Sequence, residues 1–143
     1  MNDYNQKAAN DVYKNAHIAL QSISDLLPAV VDDDIKTELK EQYEGYEKLI
    51  GEISSFMAEN GVEPKDVSPF KKAMLWSSIK MKTMMNNSRN QVADMMINGT
   101  VMGINELTAM KNEGQNLDDG VLNLLQQLLS LEEDYEQRLK RFL

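Results

Sequence analysis

The stretch Ser68-Pro69-Phe70-Lys71-Lys72-Ala73-Met74-Leu75-Trp76-Ser77-Ser78-Ile79-Lys80-Met81-Lys82-Thr83-Met84-Met85-Asn86-Asn87-Ser88 decides how the rest of the chain is read. Ser68-Pro69 is a strong helix start, with serine as N-cap and proline at the first helical position. No further proline follows, and helical periodicity persists to Glu113-Gly114. Taken literally, that is one helix over 69–113 of about 45 residues, roughly 67 Å at 1.5 Å per residue. The neighbouring helical patterns are only about 25–27 residues long, roughly 40 Å. A bundle of such helices leaves the excess uncovered. The reading that removes the mismatch makes 61–83 a crossover carrying a short helix and 84–113 the third main helix. Eight extended and fourteen helical residues span about 45 Å, enough to travel the length of a bundle. The poor helix formers Asn86-Asn87-Ser88 mark the break. One overlong helix in an up-down-up-down bundle is the rival.

Outward from this stretch the punctuation is clear. Asn2 or Asp3 caps a first helix that Pro28 stops after Leu26-Leu27. Its apolar stripe is Ala9, Val12, Ala16, Ala19, Ile23 and Leu26, spaced by three and four. Asp32-Asp33-Asp34 supplies acid at the next N-terminus, where free amides and the positive dipole end favour it. The second helix carries Ile35, Leu39, Gln42, Tyr46, Leu49, Ile53 and Phe56 and stops at Asn60-Gly61. The third carries Val92, Met95, Gly99, Met102 and Glu106. A final helix from near Asp118 carries Val121, Leu125, Leu128, Glu132, Tyr135, Leu139 and Phe142. The fold expected is all-α: two antiparallel helix pairs joined by the crossover, in one domain over 1–143.

Composition narrows the chemistry. The 143 residues suffice for one core, 42% of them are apolar, and none is cysteine. Disulfides, thiolate metal sites and cysteine nucleophiles are therefore excluded. The formal charge of −8 repels phosphate backbones and argues against nucleic acid. No apolar run approaches the roughly 18–20 residues that span a bilayer. The polar start Met1-Asn2-Asp3-Tyr4-Asn5 lacks the pattern of a signal peptide, which makes a cytoplasmic location the expectation.

Two antiparallel pairs with one long crossover is the ferritin-like arrangement. Glu41-Gln42-Tyr43-Glu44-Gly45-Tyr46-Glu47-Lys48-Leu49 resembles that family's second helix, and Leu131-Glu132-Glu133-Asp134-Tyr135-Glu136-Gln137-Arg138-Leu139 its fourth. Over nearly the whole chain the sequence is similar to small bacterial ferritin-like proteins. The resemblance implies a Glu-x-x-His in each of those helices, with further Glu ligands on the other two. Here the second helix has Tyr46, and the fourth reads Glu132-x-x-Tyr135. No Glu-x-x-His occurs anywhere, and the single histidine is His17. The iron chemistry of the family is therefore not expected.

The polar residues on inward stripes form a candidate core layer of Gln42, Tyr46 and Tyr135, with both phenols placed to donate to Glu106 or Glu132. A buried carboxylate needs a partner or a raised pKa. The competing reading is a weak divalent-metal site built from His17, Glu106 and Glu132. Eight of the ten methionines fall between Met74 and Met110. Met81, Met84 and Met85 have thioether spacing suited to copper(I), but adaptable packing or a partner surface is the plainer explanation. Gly99 and Gly103 lie four apart within a helix, which suits close approach of another helix. Lys71, Lys72, Lys80 and Lys82 make the crossover basic against an acidic body, a pattern that can orient a homodimer.

Three functions remain from this reading. The first is a non-catalytic ferritin-like bundle, structural or partner-binding, without a cofactor, such as the spore-associated or stress-related proteins of this type. The second is a divergent metal-binding protein or oxidase with a carboxylate–tyrosine site. The third is an adaptor that presents its Met-rich third helix to another protein.

Overall fold

Helix boundaries in the computed structural model fall where the capping chemistry places them. The structure describes residues 1–65, 88–113 and 116–143. Among these residues there are four α-helices and no strand: α1 (Asp3–Leu26), α2 (Asp33–Glu59), α3 (Arg89–Glu113) and α4 (Asp119–Lys140). A 3-10 turn over Leu27–Ala29 holds Pro28 just after α1. The side chain of Asn2 accepts from the Asn5 amide at 2.8 Å, and Asp32 accepts from the Asp34 and Ile35 amides at 3.1 and 3.0 Å. Gly61 ends α2 with a φ of +67°, a left-handed turn that a side chain would strain.

Ser88 lies outside helix and α3 begins at Arg89, so no helix among the described residues runs unbroken over 69–113. The crossover expected at 61–83, and residues 84–87 of the expected third helix, lie for the most part outside the described residues. So do Met81, Met84 and Met85 and the four crossover lysines.

The closest-packed helix pairs are α1 with α2 and α3 with α4. Polar contacts fix the ends. Arg89 at the start of α3 reaches Asp32 at 3.0 Å and Asp34 at 2.6 Å, and its guanidinium lies over the Phe142 ring. Far from there, the Lys65 amide donates to Asn10 Oδ1 and the Asp118 amide to Asn5 Oδ1, each at 2.8 Å. Between α2 and α4, Arg138 pairs with Glu38 and Glu41, Tyr46 meets Glu132, and Phe56 covers Gly120. No helix among the described residues is long and apolar enough to cross a membrane.

The core follows the expected stripes on α1, α2 and α4. Ala9, Val12, Ala16, Ile23, Leu26, Ile35, Leu39, Tyr46, Ile53, Val121, Leu125, Leu128 and Leu139 are all buried, while Ala19, Phe56 and Phe142 are half-buried. On α3 the expected stripe is corrected. Val92 and Met95 are buried, but Gly99 and Glu106 are exposed and Met102 is 65% exposed. The buried face instead runs through Val92, Ala93, Met96, Thr100 and Leu107. Both series have helical spacing, and α3 carries apolar residues on both, so periodicity alone chose the wrong one of two adjacent faces. Leu107→Ala should therefore cost about 2–5 kcal/mol in chemical denaturation. Met102→Ala should stay within about 0.5 kcal/mol of wild type. Equal losses at the two positions would contradict this face assignment.

Candidate functional site

Halfway along the bundle a polar cluster takes one contribution from each helix. Tyr46 comes from α2, Glu132 from α4, Asn15 from α1, and Gly103 with Glu106 from α3. Tyr46 and Glu132 are 2% and 1% exposed. The Tyr46 hydroxyl donates to Glu132 Oε2 at 3.1 Å. Asn15, also buried, donates from Nδ2 to the Gly103 carbonyl at 3.1 Å, with Glu106 Oε2 at 3.5 Å from the same nitrogen.

Glycine creates the space for this cluster. A Cβ on Gly103 would lie 2.9 and 3.0 Å from the two carboxyl oxygens of Glu132 and 3.3 Å from Asn15 Oδ1. Gly103 is thus the helix position against which the carboxyl is seated. Apart from its own helix, no described residue lies within 4 Å of where a Cβ on Gly99 would stand, so among the described residues close approach explains one glycine of the pair. On α2, a Cβ at Gly45 would overlap the Tyr135 hydroxyl. Tyr135 therefore lays its phenol across Gly45, and its ring meets Tyr46 edge-on at 5.3 Å and 70°.

Burial sets the protonation state. The Glu132 carboxyl is pushed up from its ordinary 4.5 to about 8, chiefly by loss of water; the Tyr46 hydrogen bond pulls it down and the charge of Glu106 pushes it up. Glu132 is accordingly a neutral carboxylic acid at pH 7. The Tyr46 phenol is also held well above its ordinary value, first by burial and then by Glu132. Tyr135 is raised by burial, with the nearby Arg138 guanidinium opposing that shift.

A second, charged group lies toward the start of α2. Gln42, 1% exposed, donates from Nε2 to Glu38 Oε2 at 3.0 Å. Arg138 reaches Glu38 at 2.9 Å and Glu41 at 2.5 Å, and its guanidinium lies 5.5 Å from the centre of the Tyr135 ring. Tyr135 therefore separates a neutral buried pair from a partly solvated ion network.

Of the residues singled out in the sequence, the structure brings Tyr46, Glu132 and Tyr135 together. Gln42 joins the Arg138 network one turn away. Glu106 reaches the edge of the cluster from the exposed side of α3, a correction to its inward placement. The His17 ring packs 5.6 Å from that of Tyr13, and its buried Nδ1 has no hydrogen-bond partner among the described residues. Among the described residues no three His, Asp or Glu side chains are grouped so as to hold a metal ion. Asn15 was missed by sequence reasoning. Its signal was available in the series Asn5, Asn10, Asn15 along α1, all buried, each tied to a different part of the chain.

No protein-family model, no curated protein and no solved structure matches this chain.

The raised carboxyl fixes the sign of a pH effect. Between about 4.5 and about 8 the folded state holds a proton on Glu132 that the unfolded chain has released. Stability from this group is complete below 4.5 and drains away as pH rises through 8, where both states are ionised. Against Glu132→Gln, the wild type should lose on the order of 5 kcal/mol across that window and then level off. Parallel stability curves for the two proteins in urea from pH 4 to pH 9 would rule the raised carboxyl out.

Proposed function

We propose that this protein is a non-catalytic bundle of ferritin-like arrangement that works as a structural or partner-binding element, with a hydrogen-bonded polar core where relatives of that type would hold metal. The observation that carries the reading is the Tyr46–Glu132 pair, in which a buried carboxyl is bonded by a phenol and kept neutral. A carboxyl that ligates a cation must be ionised and must find further anionic or imidazole partners. Tyr46 and Tyr135 occupy the positions where the resemblance calls for imidazole, and His17 packs against Tyr13 instead.

The end contacts support the arrangement. Arg138 beside Glu38 and Glu41, with Phe56 beside Gly120, supports opposite directions for α2 and α4. Lys65 lies beside Asn10 in the early part of α1, whereas Arg89 lies beside Asp32 and Asp34, beyond the other end of that helix. Lys65 and Arg89 so placed, toward opposite ends of α1, support the crossover of the ferritin-like topology.

A partner-binding role draws on α3, whose outward side carries Met102 and Gly99. A thioether beside a glycine offers an adaptable apolar contact to a second helix, either from another copy of this chain or from a different protein.

The decisive test is metal analysis of the full chain purified without chelators. Iron and manganese together should amount to less than about 0.1 equivalent after dialysis. Stoichiometric metal that survives dialysis would instead favour the carboxylate–tyrosine metalloprotein.

A further inference from the structure

We propose that Glu132 carries its proton on Oε1 and donates it to Asn15 Oδ1, closing a one-way chain of hydrogen bonds that threads all four helices. The inference starts from two buried oxygens with no hydrogen-bond partner among the described residues, Asn15 Oδ1 and Glu132 Oε1. Both crowd the same point above Gly103, at 3.3 and 3.0 Å from where its Cβ would stand. Two bare acceptors gathered about one position in a dry core are each costly to bury unpaired. A single hydrogen between them satisfies both.

The remaining contacts decide which atom supplies it. Asn15 has committed Nδ2 to the Gly103 carbonyl, which fixes the orientation of the amide and leaves Oδ1 only as an acceptor. Glu132 Oε2 already accepts from the Tyr46 hydroxyl. Oε1 is therefore the atom that can carry the hydrogen. The titratable groups that act on Glu132 are Glu106 from α3 and the Tyr46 phenol from α2, while α1 offers the neutral Asn15 amide. Glu106 favours the protonated acid, as does burial. The donor order is then Tyr46 of α2 to Glu132 of α4, Glu132 to Asn15 of α1, and Asn15 to the Gly103 carbonyl of α3. Each member depends on the next, so the chain fixes the relative axial position of four helices at one level and occupies the carboxyl as a donor.

The inference rests on the metal-free reading in one respect: a Glu132 bound to a cation has no proton to give. Infrared difference spectra of the full-length wild type against Glu132→Gln at pH 7 test it directly. A carbonyl band of a protonated carboxylic acid is expected, lost in the variant and shifted in Asn15→Leu. The Gln variant keeps an N–H donor for Asn15 and an oxygen for Tyr46 and has no proton to lose, so its thermal midpoint at pH 7 should be no lower than that of wild type even if Asn15→Leu fails to fold. No acid band in metal-free protein overturns the relay and leaves the metal-free reading standing. No band together with stoichiometric metal overturns both. A band unmoved by Asn15→Leu, or a large drop in midpoint for Glu132→Gln, also overturns the relay.

Discussion

Removing the Glu132 carboxyl from water is the constraint around which the middle of this bundle is organised. An ionised carboxylate in a dry core costs several kcal/mol unless it is paired, so the side chain stays protonated and its oxygens must find neutral partners. Tyr46 supplies one from α2 at 3.1 Å. Gly103 supplies the room, since a methyl there would press on both carboxyl oxygens. Gly45 does the same for the Tyr135 phenol, which packs edge-on against Tyr46 and so shields the pair. Two glycines that weaken their helices locally are thus explained by what they seat against them.

Around this neutral centre, charge is kept to the ends and edges. Arg138 gathers Glu38 and Glu41 and lies over Tyr135, while Arg89 gathers Asp32 and Asp34 and lies over Phe142. Asp32 has a second role as the N-cap of α2, and backbone amides hold its carboxyl below the ordinary range. Pairs this exposed add little to stability individually, but they distinguish one end of the bundle from the other. Along α1 the buried asparagines do related work, because Asn5 holds the chain entering α4, Asn10 the chain leaving α2, and Asn15 the backbone of α3.

Much of this was legible in the sequence. The four main helices among the described residues, the caps at Asn2 and Asp32, the left-handed stop at Gly61 and the stripes of α1, α2 and α4 follow from local rules that tertiary packing did not override. The Glu132–Tyr46 bond was one of the phenol–carboxyl pairs that the inward stripes allowed. The face of α3 was not legible, because beyond the buried Val92 and Met95 the residues Gly99 and Met102 continue a helical series one step beside the real one through Met96, Thr100 and Leu107. That error put Glu106 inside when it is exposed. Asn15 escaped notice because asparagine beside an apolar stripe ordinarily signals a solvated edge, and only the facing carboxyl gives it a buried role.

The account stands or falls on the coupling between the phenol and the acid. A double-mutant cycle of Tyr46→Phe and Glu132→Met, read by urea denaturation at pH 6, measures that coupling while removing the hydrogen bond from either side. It predicts that the two changes together cost at least about 1 kcal/mol less than the sum of the single losses, because each single variant strands the other group in a dry core. Additivity within about 0.3 kcal/mol would mean the two side chains do not depend on each other, and would contradict it.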